Sequence, residues 1–243
     1  MCFLQRFLLT GLIFFCCEFY INAQDGDDAG YSNYHNDFQS WFSVKLNKDF
    51  KKGVSINGQY LLRVDVSNQT VNGHYFYAGL KYKILKYLYA DFQFRGVNTP
   101  QKNLYRFEFG LKARYKKKDW TVGYRMGYFH ENEYFARSYE RGHAPTNYWR
   151  NRIEARFDFK KHWGTYASVE AYTLCTNRGL FLRRVAFIAG FDYNFKKDHT
   201  ISLYYVAQPD FSQKNLDVVH ALALTYSWDI PNKLFKKKKG KKK

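Results

Sequence analysis

From Leu104 to Tyr115 the chain changes character at every residue. Odd positions read Tyr105, Phe107, Phe109, Leu111, Ala113 and Tyr115; even positions read Arg106, Glu108, Gly110, Lys112 and Arg114. A period of two belongs to a β-strand whose two faces meet different solvents. From Trp149 to Phe159, Trp149, Ile153, Ala155, Phe157 and Phe159 oppose Arg150, Arg152, Glu154, Arg156 and Asp158, with Asn151 as the one polar intruder on the apolar face. The pattern recurs from Leu88 to Arg95, Trp120 to Tyr128, Val185 to Asn194 (Ile188 excepted) and Ala221 to Trp228. Weaker versions run through Phe38–Leu46, Val54–Asp65, Phe76–Ile84, Trp163–Thr173 and Ile201–Ala207.

Two kinds of punctuation alternate between these segments. One is short and lysine-rich: Lys51-Lys52, Lys86, Lys116–Lys118, Lys160-Lys161 and Lys196-Lys197. The other is longer and mixed: Asn68–Gly73, Asn98–Asn103, Glu131–Thr146, Thr176–Leu180 and Pro209–Leu216. Tight turns alternating with longer loops describe a meander of hairpins, as in outer-membrane barrels. The expected fold is therefore all-β, an up-and-down antiparallel transmembrane β-barrel. Beyond the N-terminus no apolar run reaches the roughly 20 residues of a membrane helix, and an aromatic content of 21% excludes disorder.

Alternation alone does not say which face meets lipid. A soluble barrel, the alternative being one secreted to bind an apolar ligand, puts its apolar face inside; a membrane barrel reverses this. Three features favour the membrane. The apolar face carries Trp120, Tyr128, Trp149, Trp163, Tyr193, Tyr226 and Trp228 near strand ends, as in aromatic girdles. The opposite face mixes Arg with Glu and Asp, which suits a polar interior. The chain also opens on a secretory signal.

That signal is Met1–Gln24: Arg6 near the start, an apolar stretch from Phe7 to Cys17, then Asn22-Ala23-Gln24. Cleavage is expected near Ala23 or Gln24. Cys2, Cys16 and Cys17 leave with it, and Phe15 before Cys16 argues against lipidation. The mature chain keeps Cys175, which supports neither an internal disulfide nor a cysteine zinc site. The expected organisation is a signal peptide over 1–24, an N-terminal segment over 25–37, a barrel over 38–230 and a basic tail over 231–243. The address is the outer membrane of a Gram-negative bacterium.

Several of these segments resemble the outer-membrane β-barrel family filed as domain of unknown function 2490. The likeness lies in Ser40–Lys48 as an opening strand, in Gly79-Leu80-Lys81-Tyr82-Lys83, in Arg150–Ala155 and in the late strand carrying Tyr204-Tyr205. It covers Phe38 to Trp228. The resemblance implies an outer-membrane barrel and brings no catalytic residues. The lysine tail departs from the usual barrel ending at the last strand.

Eleven segments raise a parity problem, because bacterial single-chain barrels have even strand numbers. With the lysine turns periplasmic, both the first and the last segment run toward the periplasm, so the chain would start outside. Either Tyr31–Asn36 forms a poor extra strand, or the N-terminal segment threads the lumen, or one of the eleven segments is not a strand; twelve strands are expected, with ten as the alternative.

Seven histidines invite an enzyme reading, a lipid-modifying barrel being the version to weigh. His199 and Ser202 fall on opposite faces. His143 lies in the longest loop with only Ser138 near it, and His220 sits on the apolar face. No nucleophile–base pair emerges, no metal-ligand spacing and no phosphate loop, so neither an activity nor a metal or other cofactor is expected. The charged face says more. Arg106, Glu108, Lys112, Arg114, Arg125, Arg150, Arg152, Glu154, Arg156 and Asp158 are expected to form a lumen charge network, joined by Arg63, Asp65, Asp91, Arg95, Glu170 and Asp192. Basic groups outnumber acidic ones, so the barrel is read as structural or as a narrow anion-preferring pore. The formal charge of +18 is inflated by Lys236–Lys243, seven lysines around Gly240. That tail is read as a periplasmic extension able to touch anionic lipid head groups. Membrane lipid is the expected partner and nucleic acid is not.

Overall fold

The computed structural model of the chain describes residues 34–50, 53–100, 103–133, 146–211 and 216–231. Eleven strands form among them: β1 Tyr34–Asp49, β2 Val54–Asp65, β3 Thr70–Leu85, β4 Leu88–Asn98, β5 Asn103–Lys117, β6 Trp120–Glu133, β7 Thr146–Lys160, β8 Trp163–Thr176, β9 Gly179–Lys196, β10 His199–Asp210 and β11 Leu216–Asp229. Each alternating segment becomes one strand, and neighbours pair antiparallel in sequence order. Most strands run past the limits of their alternation, so the sheet is 11 (β4) to 18 (β9) residues deep. A tilted strand crosses a bilayer in roughly 9–11 residues, which leaves length to stand clear of the lipid.

The sheet closes by pairing β1 with β11, in parallel. With strict up-and-down alternation, an odd number of strands makes the first and last run the same way, so closure has to be parallel. The expected twelve strands are corrected to eleven. No extra strand is needed, because Tyr34–Asn36 simply lengthens β1 and pairs with Leu216–Val218. Parallel pairing is slightly weaker per residue, and side chains reinforce this seam. The Ser43 and Thr225 hydroxyls lie 2.6 Å apart, Asn47 Nδ2 donates to Asp229 Oδ1 at 2.8 Å, and Lys48 Nζ donates to the Ile230 carbonyl at 3.1 Å. As the parity argument required, β1 enters at the end of the barrel that carries the longer connections.

One of those connections is shorter than expected. Thr176–Leu180 is a tight turn of Asn177 and Arg178, tied by Arg178 N donating to Thr176 Oγ1 at 3.1 Å and Thr176 Oγ1 donating to the Gly179 carbonyl at 3.1 Å. Gly179 takes φ 133°, a conformation open to glycine.

The outward face is apolar. Phe109 (62% exposed), Leu222, Phe191 and Trp120 stand out from the wall, whereas Glu108 (2%) and Glu170 (3%) are buried within it. This is the inverse of a soluble barrel and the arrangement of a membrane one. Aromatic contacts cluster toward the two rims. Trp120 stacks on Phe157 (4.7 Å), His199 stacks on Trp228 (5.9 Å) and Trp163 packs at a tilt against Tyr193 (4.5 Å) at the short-turn end; Tyr128 meets Trp149 (5.4 Å) nearer the other. Asn151 does lie on the outward face. It is fully covered there, and it accepts a hydrogen bond from Tyr124 at 2.7 Å, which removes the cost of an unpaired polar group in lipid.

Candidate functional site

The lumen is where the sequence concentrates its charge, and the register decides which charges meet. Inward residues of β4 to β8 form a continuous chain. Asp91 pairs with Arg125; Arg125 Nη2 lies 3.0 Å from Glu108 Oε1; Arg150 Nη1 lies 3.0 Å from Glu108 Oε2; Arg150 also pairs with Glu170. Five side chains from five adjacent strands thus alternate in sign along the chain of contacts. Burial forces this pairing, because an unpaired ion away from water is costly.

Glycines on the same face make room for the chain. A Cβ at Gly127 would lie 2.8 Å from Glu108 Oε1, and one at Gly110 would lie 2.8 Å from Asp91 Oδ1. The carboxylates therefore lie flat against backbone instead of projecting across the barrel. Gly164 does the same for Arg156 and Asp158, with both contacts at 2.9 Å.

A second cluster lies nearer the short-turn rim. Arg156 Nε donates to Asp158 Oδ1 at 2.7 Å and also pairs with Asp192; Lys116 reaches Asp158 at 3.4 Å. Arg152 pairs with Glu154 at 2.7 Å. At the long-connection end, Arg106 meets Glu131 at 2.5 Å. Nearby, a register shift opposite Tyr172/Thr173 leaves Arg183 between the partners Leu182 and Arg184. Arg184 and Arg183 both point at Asp210, at 2.6 and 3.8 Å. Such bulges re-aim side chains.

Of the ten residues expected in the lumen network, Arg106, Glu108, Lys112, Arg125, Arg150, Arg152 and Glu154 line one interior cavity of 410 Å³. Arg156 and Asp158 sit below it in the rim cluster. Arg114 is exposed, on the part of β5 nearest the short-turn rim. Among the additional candidates, Asp65 is not a lumen group: it caps its turn, accepting from the Ser67 and Asn68 amides at 2.8 and 3.1 Å.

The sequence reading missed two features of this cavity. Lys45 and Lys81 also line it. They share the inward parity of Ser43 and Gly79, so alternation in β1 and β3 held the signal. The second feature is an inward apolar cluster: Trp41, Leu61, Tyr75, Val97, Val206, Ala221 and Ala223 are buried together, with Ile188, the exception in β9, packed against them. The lumen is thus charged on the β4–β8 side and largely aromatic and aliphatic on the other.

Five cavity cations, Lys45, Arg63, Lys81, Arg95 and Lys112, have no carboxylate within ion-pair distance among the described residues. Arg63 and Arg95 are held by rings instead. The Arg63 guanidinium lies 3.9 Å from the Trp41 ring centroid and 4.3 Å from that of Tyr75; Arg95 lies 4.8 Å from Tyr75 and 5.2 Å from Tyr77.

The described histidines occupy other places. His220 stacks on Phe38 at 5.1 Å and bonds the Tyr205 hydroxyl at 2.5 Å, on the lipid-facing side. His199 bonds Tyr226 at 2.7 Å, whereas Ser202 faces inward and donates to Asp192 at 2.5 Å. His143 and Ser138, like the expected signal segment and the lysine tail, fall outside the described residues. Among the described residues no three of His, Cys, Asp and Glu come together as metal ligands.

No curated protein matches the chain. Among solved structures it is similar to a KdgM porin in complex with disordered oligogalacturonate, at 11% identity over 68% of this chain and 81% of that one, TM-score 0.45. It is similar also to a bacterial polysaccharide outer membrane secretin, at 11% identity over 72% and 63%, TM-score 0.48. A third is OmpT, an outer membrane protein of Vibrio cholerae, at 10% identity over 73% and 89%, TM-score 0.35. A family model matches residues 38–219, which hold the opening strand, the ion-paired wall of β4 to β8 and most of the late strands: the chain belongs to the family described as protein of unknown function (DUF2490).

Proposed function

We propose that the barrel lies in the outer membrane of a Gram-negative bacterium and serves as a narrow, anion-preferring pore. One observation carries the reading. The interior cavity is lined by nine basic side chains (Lys45, Arg63, Lys81, Arg95, Arg106, Lys112, Arg125, Arg150 and Arg152) and four acidic ones (Asp91, Glu108, Glu154 and Glu170). The formal excess among these lining residues is five positive charges, and four once Glu131, the partner of Arg106, is counted.

A purely structural network would balance its ions, because an isolated charge in a dry interior costs far more than a fold can offset. Unpaired cations such as Lys45, Lys81 and Lys112 are tolerable only where water and mobile counter-ions reach them. Basic rings in such a lumen attract anions and repel cations. Each carboxylate that lines the cavity is engaged by an arginine, whereas Lys45, Lys81 and Lys112 line it without a carboxylate partner among the described residues.

The test uses the purified barrel in proteoliposomes loaded with a halide-sensitive dye. Iodide entry should quench the dye faster than in protein-free vesicles. Entry no faster than in empty vesicles overturns the pore reading.

A further inference from the structure

We propose that Arg63 and Arg95 form a binding station for solutes bearing a carboxylate or phosphate group, built on the aromatic wall of the lumen. The inference rests on the reading of the lumen as hydrated and open to anions, and goes further by naming one site and the chemistry that it takes.

The geometry points this way for three reasons. First, each guanidinium sits over two aromatic rings. Arg63 lies against the Trp41 and Tyr75 rings, Arg95 against Tyr75 and Tyr77, and Tyr75 is shared by both. Contact with a ring holds the cation without consuming its N–H groups on an acceptor, and those five groups form a rigid planar fork. Edge donors in that fork match two oxygens of a carboxylate or phosphate.

Second, those donors are unspent. The Nε atoms of both Arg63 and Arg95 are buried and have no hydrogen-bond partner. A buried donor normally finds an acceptor, and here neither carboxylate nor carbonyl supplies one. The neighbouring Arg106 and Arg184 differ in this respect, since Glu131 and Asp210 satisfy them.

Third, the platform is held in place from behind. Trp41 Nε1 donates to Gln39 Oε1 at 2.8 Å, and Gln39 Nε2 donates to Asp37 Oδ2 at 2.5 Å. The relay fixes the plane of the indole on which Arg63 stacks. Gln59, Gln93 and Gln208 line the same cavity and offer amides to the polar remainder of a ligand. Preorganised donors on rigid strands are what a binding site requires and what a merely repulsive lining does not.

Trp41 also supplies the readout. It is the one tryptophan of the five in the chain that faces the lumen; Trp120, Trp149, Trp163 and Trp228 lie on the outward face. The folded barrel in detergent micelles is titrated with sodium phosphate, and separately with sodium acetate and sodium citrate, at constant ionic strength with chloride as the balancing anion. The expected result is a saturable change in tryptophan emission that disappears in Trp41→Phe. Its half-saturation concentration should rise at least tenfold in Arg63→Lys and Arg95→Lys, which keep the charge and lose the fork. The variant Arg114→Gln, exposed and outside the cavity lining, should shift it less than threefold.

Response to phosphate alone, or to carboxylates alone, assigns the ligand class and upholds the station. Equal affinity in Arg63→Lys and the parent barrel overturns it. Iodide entry into proteoliposomes without saturable binding of any of the three anions overturns the station and leaves the pore standing; absence of both overturns both. A heat-modifiable gel shift confirms that each variant has folded before it is titrated.

Discussion

Glu108→Gln removes the central ion of the wall and replaces it with a side chain of the same shape. Glu108 is 2% exposed and lies 3.0 Å from both Arg125 Nη2 and Arg150 Nη1. At an effective dielectric constant near 20, each contact is worth about 5 kcal/mol before desolvation. Releasing the carboxylate from burial returns several kcal/mol of that. Breaking a buried pair normally costs about 3–5 kcal/mol because a charge is left uncompensated. Here Arg125 keeps Asp91 and Arg150 keeps Glu170, so the loss falls at the lower end, about 3 kcal/mol. The assay is urea unfolding of the barrel in lipid vesicles, followed by intrinsic fluorescence. Arg114→Gln, at an exposed position, is the control and should stay within about 0.5 kcal/mol of the parent. Glu108→Gln combined with Glu170→Gln should depart from additivity, since both acids share Arg150. A loss below about 1 kcal/mol for Glu108→Gln would refute the idea that the wall is held by this chain of charges.

Three further perturbations test other parts of the structure. Phe109→Arg puts a charge on the outward face at its most exposed aromatic and should cost about 2–4 kcal/mol in vesicles; an unchanged or more stable protein would mean that this face meets water. Gly127→Ala pushes a methyl group onto Glu108 Oε1 and should destabilise the same vesicle unfolding by about 1–3 kcal/mol, whereas an unchanged midpoint would show the ion chain to be loosely packed. An epitope inserted between Asn68 and Gln69 should be recognised on intact cells, and one inserted at Lys118-Asp119 only after the outer membrane is permeabilised; the reverse pattern would invert the orientation of the barrel.

The alternation of two solvents located every strand, because period-two patterning is a local property and a lipid–water contrast makes it strong. The limits of β2 coincide with the alternating segment itself, Val54–Asp65. Closure was harder to read. Whether β1 meets β11 directly depends on two segments at opposite ends of the chain, and Tyr34–Asn36 joins a strand although its own sequence is polar. The inward parity of Arg125 and Asp91 was legible, but their meeting was not: they are 34 residues apart and belong to strands separated by β5. The apolar half of the lumen escaped for the same reason. Trp41, Leu61 and Val206 each occupy an inward position flanked by polar ones, and only the closed register brings β1, β2 and β10 to one side. Arg183 shows the limit of parity itself, since a one-residue bulge changes the face without any local signature.

Anion preference depends on the sign of the charge inside the barrel. The most direct measurement is the reversal potential of the purified protein in a planar bilayer separating concentrated from dilute potassium chloride. With nine basic and four acidic side chains lining the cavity, the potential should shift toward the chloride equilibrium value. The shift should shrink when Lys45, Lys81 and Lys112 are replaced by glutamine. A shift toward the potassium equilibrium value would contradict the inward placement of these cations, and with it the assignment of the barrel's two faces.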